Sequence, residues 1–268
     1  MSRLLISSAI LLATVSAAFA QPVVNAGGTI DGAAFYVGQP VAPGSMVSIF
    51  GSGLAASLQQ ADTVPWSTRL GQTSVTFNGK SAPLYFVSPG QVNAQLPWDT
   101  LAAGTTSGTA SLVVTVNGVP SAPQTVPIGQ YSPAIFSIPP GGGYAIAINP
   151  DGSLSAPAGA IPGFPSRPSR AGEALILLCN GLGPVDLPIA NGQPSSDALR
   201  HTFPAAAEVL IGGANAQVLF SGLSPQFPSI NQINAVVPNG VAPGNSIPIQ
   251  IRIGGRTSPA TFLIAIAP

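Results

Sequence analysis

Gln91-Val-Asn-Ala-Gln-Leu-Pro97 and Gln232-Ile-Asn-Ala-Val-Val-Pro238 are one phrase written twice in this chain. Each alternates an amide with an apolar residue. Side chains at i and i+2 of a strand share a face, so each phrase predicts a half-buried strand with its amides on one side. Four further pairs flank the two phrases in the same order. Gly44-Ser-Met-Val-Ser-Ile-Phe-Gly-Ser-Gly-Leu54 answers Gly172-Glu-Ala-Leu-Ile-Leu-Leu-Cys-Asn-Gly-Leu182. Val75-Thr-Phe-Asn-Gly79 answers Val209-Leu-Ile-Gly-Gly213, and Leu84-Tyr-Phe86 answers Val218-Leu-Phe220. Last, Val113-Val-Thr-Val-Asn-Gly118 answers Gln250-Ile-Arg-Ile-Gly-Gly255. Matching blocks in conserved order mean an internal duplication.

The turns between the blocks say what is duplicated. Asn78-Gly79 and Asn117-Gly118 are type I′ hairpin signals, because that turn needs positive φ at both central residues. Gly212-Gly213 and Gly254-Gly255 meet the same need in the second copy. With 31 glycines, 29 prolines and only 6% charged residues, the chain lacks the Glu, Lys and Arg that wet the outer face of soluble helices. Strands faced with Ser, Thr, Asn and Gln need none. The expected class is all-β, as two tandem immunoglobulin-like β-sandwich units of the usual size for such folds.

Arg3, the apolar run Leu4 to Val15, and Ala18-Phe19-Ala20 have the form of a cleavable export signal over residues 1–20. The run is too short to span a bilayer, so no transmembrane anchor is expected. Residues 21–40 then read as a partly ordered leader segment, 41–130 as the first sandwich, and 131–268 as the second. Within the last, Tyr144 to Leu154 reads as a hairpin turning on Asn149 to Gly152 and packed on the second unit. The stretch Ala156 to Arg170, with four prolines, reads as a semi-stiff connector outside the core. The product is expected outside the cytoplasm: secreted, periplasmic or on the cell surface.

These motifs resemble a known family. Pro43-Gly44-Ser45, Ile49-Phe50-Gly51, Ser88-Pro89-x-Gln91-x-Asn93, Pro133-Ala-Ile-Phe136, Asp151-Gly-Ser-Leu154 and Gly181-Leu-Gly-Pro-Val185 are together similar to the Solibacter uncharacterised C-terminal domain of secreted acidobacterial proteins. Each half also resembles an IPT/TIG immunoglobulin-like domain. The resemblance implies location and architecture, and no known catalytic activity. It departs from the family pattern at Asn180-Gly181-Leu182-Gly183, where a Thr-Gly-x-Gly turn is usual.

Chemistry-bearing residues are sparse. His201 is the lone histidine; Asp197 is near it in sequence, but no Gly-x-Ser-x-Gly elbow supplies a nucleophile. Cys179 lies in an apolar run and reads as a buried thiol packing as a small hydrophobe. The eight acidic residues are scattered singly, so neither zinc nor a carboxylate-rich calcium site is indicated. Lys80 is the only lysine, and a nucleic-acid binder needs a basic stripe, so nucleic acid is not an expected partner. No cofactor is expected.

Gln91, Asn93, Gln232 and Asn234 are read as structural, their amides tying down the preceding proline-bearing loops through backbone groups. Trp66, Trp98, Tyr36 and Tyr85 are the candidate ligand contacts, since exposed aromatics stack on sugars or anchor proteins. The expected function is a non-catalytic extracellular module for adhesion or protein assembly, its partner an unknown extracellular protein or glycan. The alternative is a carbohydrate-binding module that uses those aromatics.

Overall fold

The computed structural model describes residues 20–268 apart from residue 260, and among these there is no helix. The expected signal segment therefore lies, Ala20 excepted, outside the described residues.

The first unit is a β-sandwich. One sheet holds five strands in the order Val23–Asp31, Met46–Ser52, Gln91–Gln95, Leu84–Val87 and Gln59–Gln60. The other is built on Ser107–Val116, which pairs with Thr73–Phe77 on one side and Gln124–Gly129 on the other. Alternation decides the facing: Thr73, Val75 and Phe77 point inward while Ser74 and Thr76 are half-exposed. Val47, Ile49, Phe77, Leu84, Val92 and Leu112 join the two sheets in one core. Burying each such side chain stabilises the fold by roughly 1.5–3 kcal/mol.

In the second unit one long strand, Ala214–Leu223, serves both layers. Its start pairs with Glu208–Ile211 and its end with Asn231–Val236. A register shift between Val218 and Phe220 marks the bend, the usual way a strand passes from one layer to the other. Leu175, Leu177, Val209, Ile211, Ile233 and Ile251 fill the core between.

The duplication seen in the sequence holds residue by residue in the pairing. Asn93 lies opposite Ser48 and Phe86, and its counterpart Asn234 lies opposite Ile176 and Phe220. Val75 faces Val114 as Val209 faces Ile251. Both copies carry the register shift at the same place, around Tyr85 and around Leu219. The type I′ turns are also present: Asn78, Asn117, Gly212 and Gly254 have φ of 51–58°, and the glycine after each has φ of 74–83°.

Two expectations need correction. Residues 21–40 are not a partly ordered leader. Val23–Asp31 pairs with Met46–Ser52 as an edge strand of the first sheet, and Ala33 and Ala34 then enter the core of the second unit. Their alternation is broken by Gly27 and Gly28, which hid the strand. The proline-bearing connector is not outside the core either. Ala156 and Ile161 are buried with Leu154 in a satellite core against Ile138, Tyr144, Ile146 and Ile148. The hairpin it follows pairs Ala147 and Ile148 with Leu177 and Ile176 of the second unit. Ser169, fully buried, binds Asn149 Oδ1 and Ser155 Oγ, both at 2.6 Å, and its amide donates to the Ala265 carbonyl. The last of these fixes the connector's backbone on the second unit, and Ser166–Arg167 of the same stretch pairs in parallel with Leu154–Ser155.

Candidate functional site

The crossing of residues 31–34 from one unit to the other creates a buried polar seam. Asp31, 4% exposed, ends the edge strand; its Oδ1 accepts the amides of Ala33 (2.8 Å) and Ala34 (2.9 Å), which turns the chain. Its Oδ2 accepts Asn180 Nδ2 at 2.7 Å. Asn180 also donates to the Met46 carbonyl and accepts the Met46 amide, at 2.8 and 3.1 Å. One side chain from the second unit therefore closes the edge of the first. Burial pushes the Asp31 carboxyl up to about 6, against the pull of its three hydrogen bonds. The neighbouring Cys179 thiol is buried as expected, and burial, with Asp31 adding to it, holds it well above the usual thiol range.

The seam continues away from Asp31. Ser229 Oγ donates to the Gly44 carbonyl (3.0 Å), the Gly192 amide to Gln95 Oε1 (2.6 Å), and the Trp98 amide to Asn191 Oδ1 (3.0 Å). Tyr131 is wedged between two glycines of the second unit. A Cβ on Gly254 would sit 2.1 Å from its ring and one on Gly183 2.6 Å from it, so no other residue fits at either place.

The four candidate aromatics do not form one platform. Trp66 is buried and packs on Tyr85, ring centroids 5.1 Å apart, with its amide bonded to Gly192. Trp98 lies against Gly44, where a Cβ would meet its ring at 2.2 Å. Its indole Nε1 is buried without a hydrogen-bond partner among the described residues. Tyr36 stands apart from these, its hydroxyl 3.0 Å from Thr261 Oγ1, at the edge of a cavity of about 350 Å³ between the units. Asp31, Tyr131, Ser132, Arg256 and Thr257 also line it.

The repeated amides do not bond the preceding loops as expected. Gln91 Nε2 donates to Asn93 Oδ1 (2.7 Å) and Gln232 Nε2 to Asn234 Oδ1 (2.9 Å), one bond along the strand in each copy. The loops are held by other residues. Ser88 bonds the Gln91 backbone, while Asn231 accepts the Leu182 amide and donates to the Gly222 carbonyl. Sequence reading also missed a buried serine that closes the last hairpin of each copy: Ser121 Oγ accepts the Val114 amide and Ser258 Oγ the Ile251 amide. Its signal was a serine three residues after Gly118 and again after Gly255.

His201 pairs with Asp186, Nδ1 to Oδ2 at 3.2 Å, rather than with Asp197, which is bound to Arg200. Its ring meets Phe220 edge-on at 5.3 Å. Two short bridges, Val185 with Thr202 and His201 with Gly222, hold this loop on the second sheet. Around them Leu199 (63%), Phe203 (60%) and Leu219 (57%) are exposed, with Leu187 beside Asp186. Among the described residues no three His, Cys, Asp or Glu side chains group to hold a metal ion, and no helix is long and apolar enough to cross a membrane.

This architecture defines an all-β protein with an immunoglobulin-like module in its N-terminal part, and residues 34–132 match the family of the IPT/TIG domain. The chain carries an IPT/TIG domain there. No curated protein matches it. Among solved structures it is similar to the surface glycan-binding protein PbSGBP-B of Prevotella bryantii, at 11% identity and a TM-score of 0.28. That match covers 91% of this chain and 42% of the other. It is also similar to the I9–I11 tandem of titin, at 8% identity, a TM-score of 0.21, and coverage of 85% and 63%. The chain thus spans less than two thirds of either structure.

Proposed function

We propose that this chain is a non-catalytic interaction module that works outside the cytoplasm and engages a protein partner through the apolar surface around His201. The observation that carries the reading is the exposure of Leu199, Phe203 and Leu219 on one held loop and the adjoining bulged strand. Large apolar side chains gathered on a soluble surface mark an interaction site, and an aromatic such as Phe203 is the usual anchor. His201, oriented by Asp186 and packed on Phe220, serves there as a polar rim. The export reading is supported by the leader sequence at Arg3, Leu4 to Val15 and Ala18 to Ala20, and the likeness of residues 35–268 to the Solibacter C-terminal domain by the motifs from Pro43 to Asn234. The second half is, on this proposal, a second sandwich of the same lineage, because its register reproduces the first.

The test is capture of a partner from the native envelope and culture medium by wild type and by a Phe203→Ser, Leu219→Ser variant. The same protein retained by wild type and lost by the variant, at equal melting temperature, supports the reading; equal capture by both overturns it. Hydrolysis of a model ester that disappears in His201→Ala overturns the non-catalytic part. A second reading, carbohydrate binding, is favoured by the placement of Tyr36 beside Arg256 and Asp31 in the cavity between the units.

A further inference from the structure

We infer that the cavity between the two units is a binding site for one neutral, ring-sized sugar residue, held by Tyr36 and Arg256, with the buried Asp31 behind the wall. The inference rests on the second reading above and gives it a place and a ligand class. Small-molecule sites concentrate where domains meet, and a cavity of about 350 Å³ lies in the usual size range for them.

Three separate segments supply the walls. The crossing segment brings Asp31 and Tyr36, the junction brings Tyr131 and Ser132, and the last hairpin brings Arg256 and Thr257. No segment builds the cavity alone, and Asp31 in its wall is fixed to the second unit by its bond to Asn180.

The charge pattern selects the ligand. Asp31 lines the cavity with only 4% of its surface exposed, so it acts as a buried negative group behind the wall rather than as a direct contact. Arg256 is exposed and has no hydrogen-bond or ion-pair partner among the described residues. The negative group disfavours an anion and the guanidinium disfavours a cation, whereas a neutral sugar hydroxyl accepts from Arg256. The Thr257 hydroxyl can donate or accept. The Tyr36 and Ser132 hydroxyls, already bonded to Thr261 Oγ1 and the Pro40 carbonyl, offer lone pairs, and the half-buried Tyr36 ring offers a face on which the apolar side of a sugar ring packs.

The full chain titrated with methyl glucoside, methyl galactoside, methyl mannoside and N-acetylglucosamine, observed by NMR of the tyrosine rings, tests this directly. At least one sugar is expected to move the Tyr36 and Tyr131 signals and leave Tyr85 and Tyr144 in place. Arg256→Gln, an exposed change that keeps the fold, is expected to weaken that binding about tenfold or more through loss of a charge-assisted hydrogen bond. Tyr36→Phe, which keeps the ring, should weaken it less than Tyr36→Ala. Silence from every sugar, a response centred on Tyr85, unchanged affinity in Arg256→Gln, or binding of methylammonium in place of the sugars overturns the inference. A response centred on Tyr85 would leave carbohydrate binding standing and move the site; silence from every sugar would remove both.

Discussion

Asp31 and Asn180 show how much depends on two small polar side chains placed far apart in the chain. A carboxylate taken out of water is costly unless it is bonded, and here three donors meet it while its acidity is still shifted up to about 6. The unfolded chain releases that proton near the ordinary aspartate value. Between about pH 4 and pH 6 the folded state therefore holds a proton that the unfolded state has lost, and stability falls as pH rises through that window. The melting temperature should be higher at pH 5 than at pH 7.5, by an amount worth about 1–2 kcal/mol at most. Asp31→Asn should flatten that slope, and a profile unchanged in the variant would locate the titration elsewhere. Asp151, bonded by the Ser153 hydroxyl and by Arg167, and Glu173, bonded by Arg167, are held low instead, so their contribution is lost only at more acid pH. The repeated asparagines should differ from each other. Asn93 Oδ1 also accepts from the buried Ser48 hydroxyl at 3.1 Å, whereas Asn234 lies opposite Ile176. Asn93→Ala should cost roughly 1–3 kcal/mol, because it strands that hydroxyl, and Asn234→Ala less than about 1 kcal/mol. Equal losses in urea titrations would contradict this.

At the scale of elements, the repeat is a register device as much as a sequence one. A hairpin closed by a type I′ turn has its pairing set by the turn, and Ser121 and Ser258 then bond the strand amide across from them. Ser121→Ala and Ser258→Ala should each destabilise the protein by about 1–3 kcal/mol, since Val114 and Ile251 would keep buried amides without partners. Thermal unfolding of the two variants checks it, and a neutral result at either site would mean that a water takes the place of the hydroxyl. The I′ turns and the strands beside them were legible because short-range rules govern them. The Val23–Asp31 strand was not, because its glycines interrupt the alternation and its partner Met46–Ser52 alone makes it a strand. The connector misled for a different reason: its four prolines prevented neither the short parallel pairing of Ser166–Arg167 with Leu154–Ser155 nor the burial of Ala156 and Ile161 between them.

At the scale of the molecule, the two cores share a segment. Residues 23–31 complete a sheet of the first unit and Ala33 and Ala34 fill the second, so neither unit is whole without the other. Heat and urea should give one cooperative transition rather than two. A chain beginning at residue 38 should lose stability in both units, seen as loss of dispersion in amide signals from each. Survival of the second unit at its full melting temperature would refute this coupling. Asn180→Ala, which removes three buried hydrogen bonds, should be the variant that separates the transition into two, observed by calorimetry.

The repeat, the turn chemistry, the all-β class and the burial of Cys179 were determined by the sequence itself, through alternation and backbone sterics over a few residues. What only the tertiary structure decided is which distant groups meet. It divided the four candidate aromatics among separate places, gave His201 to Asp186, and set Asp31, Tyr36 and Arg256 round one cavity. Those choices depend on how two sheets pack and where loops and one segment cross between them, and such contacts, unlike a turn or the alternation of a strand, leave no local pattern to read.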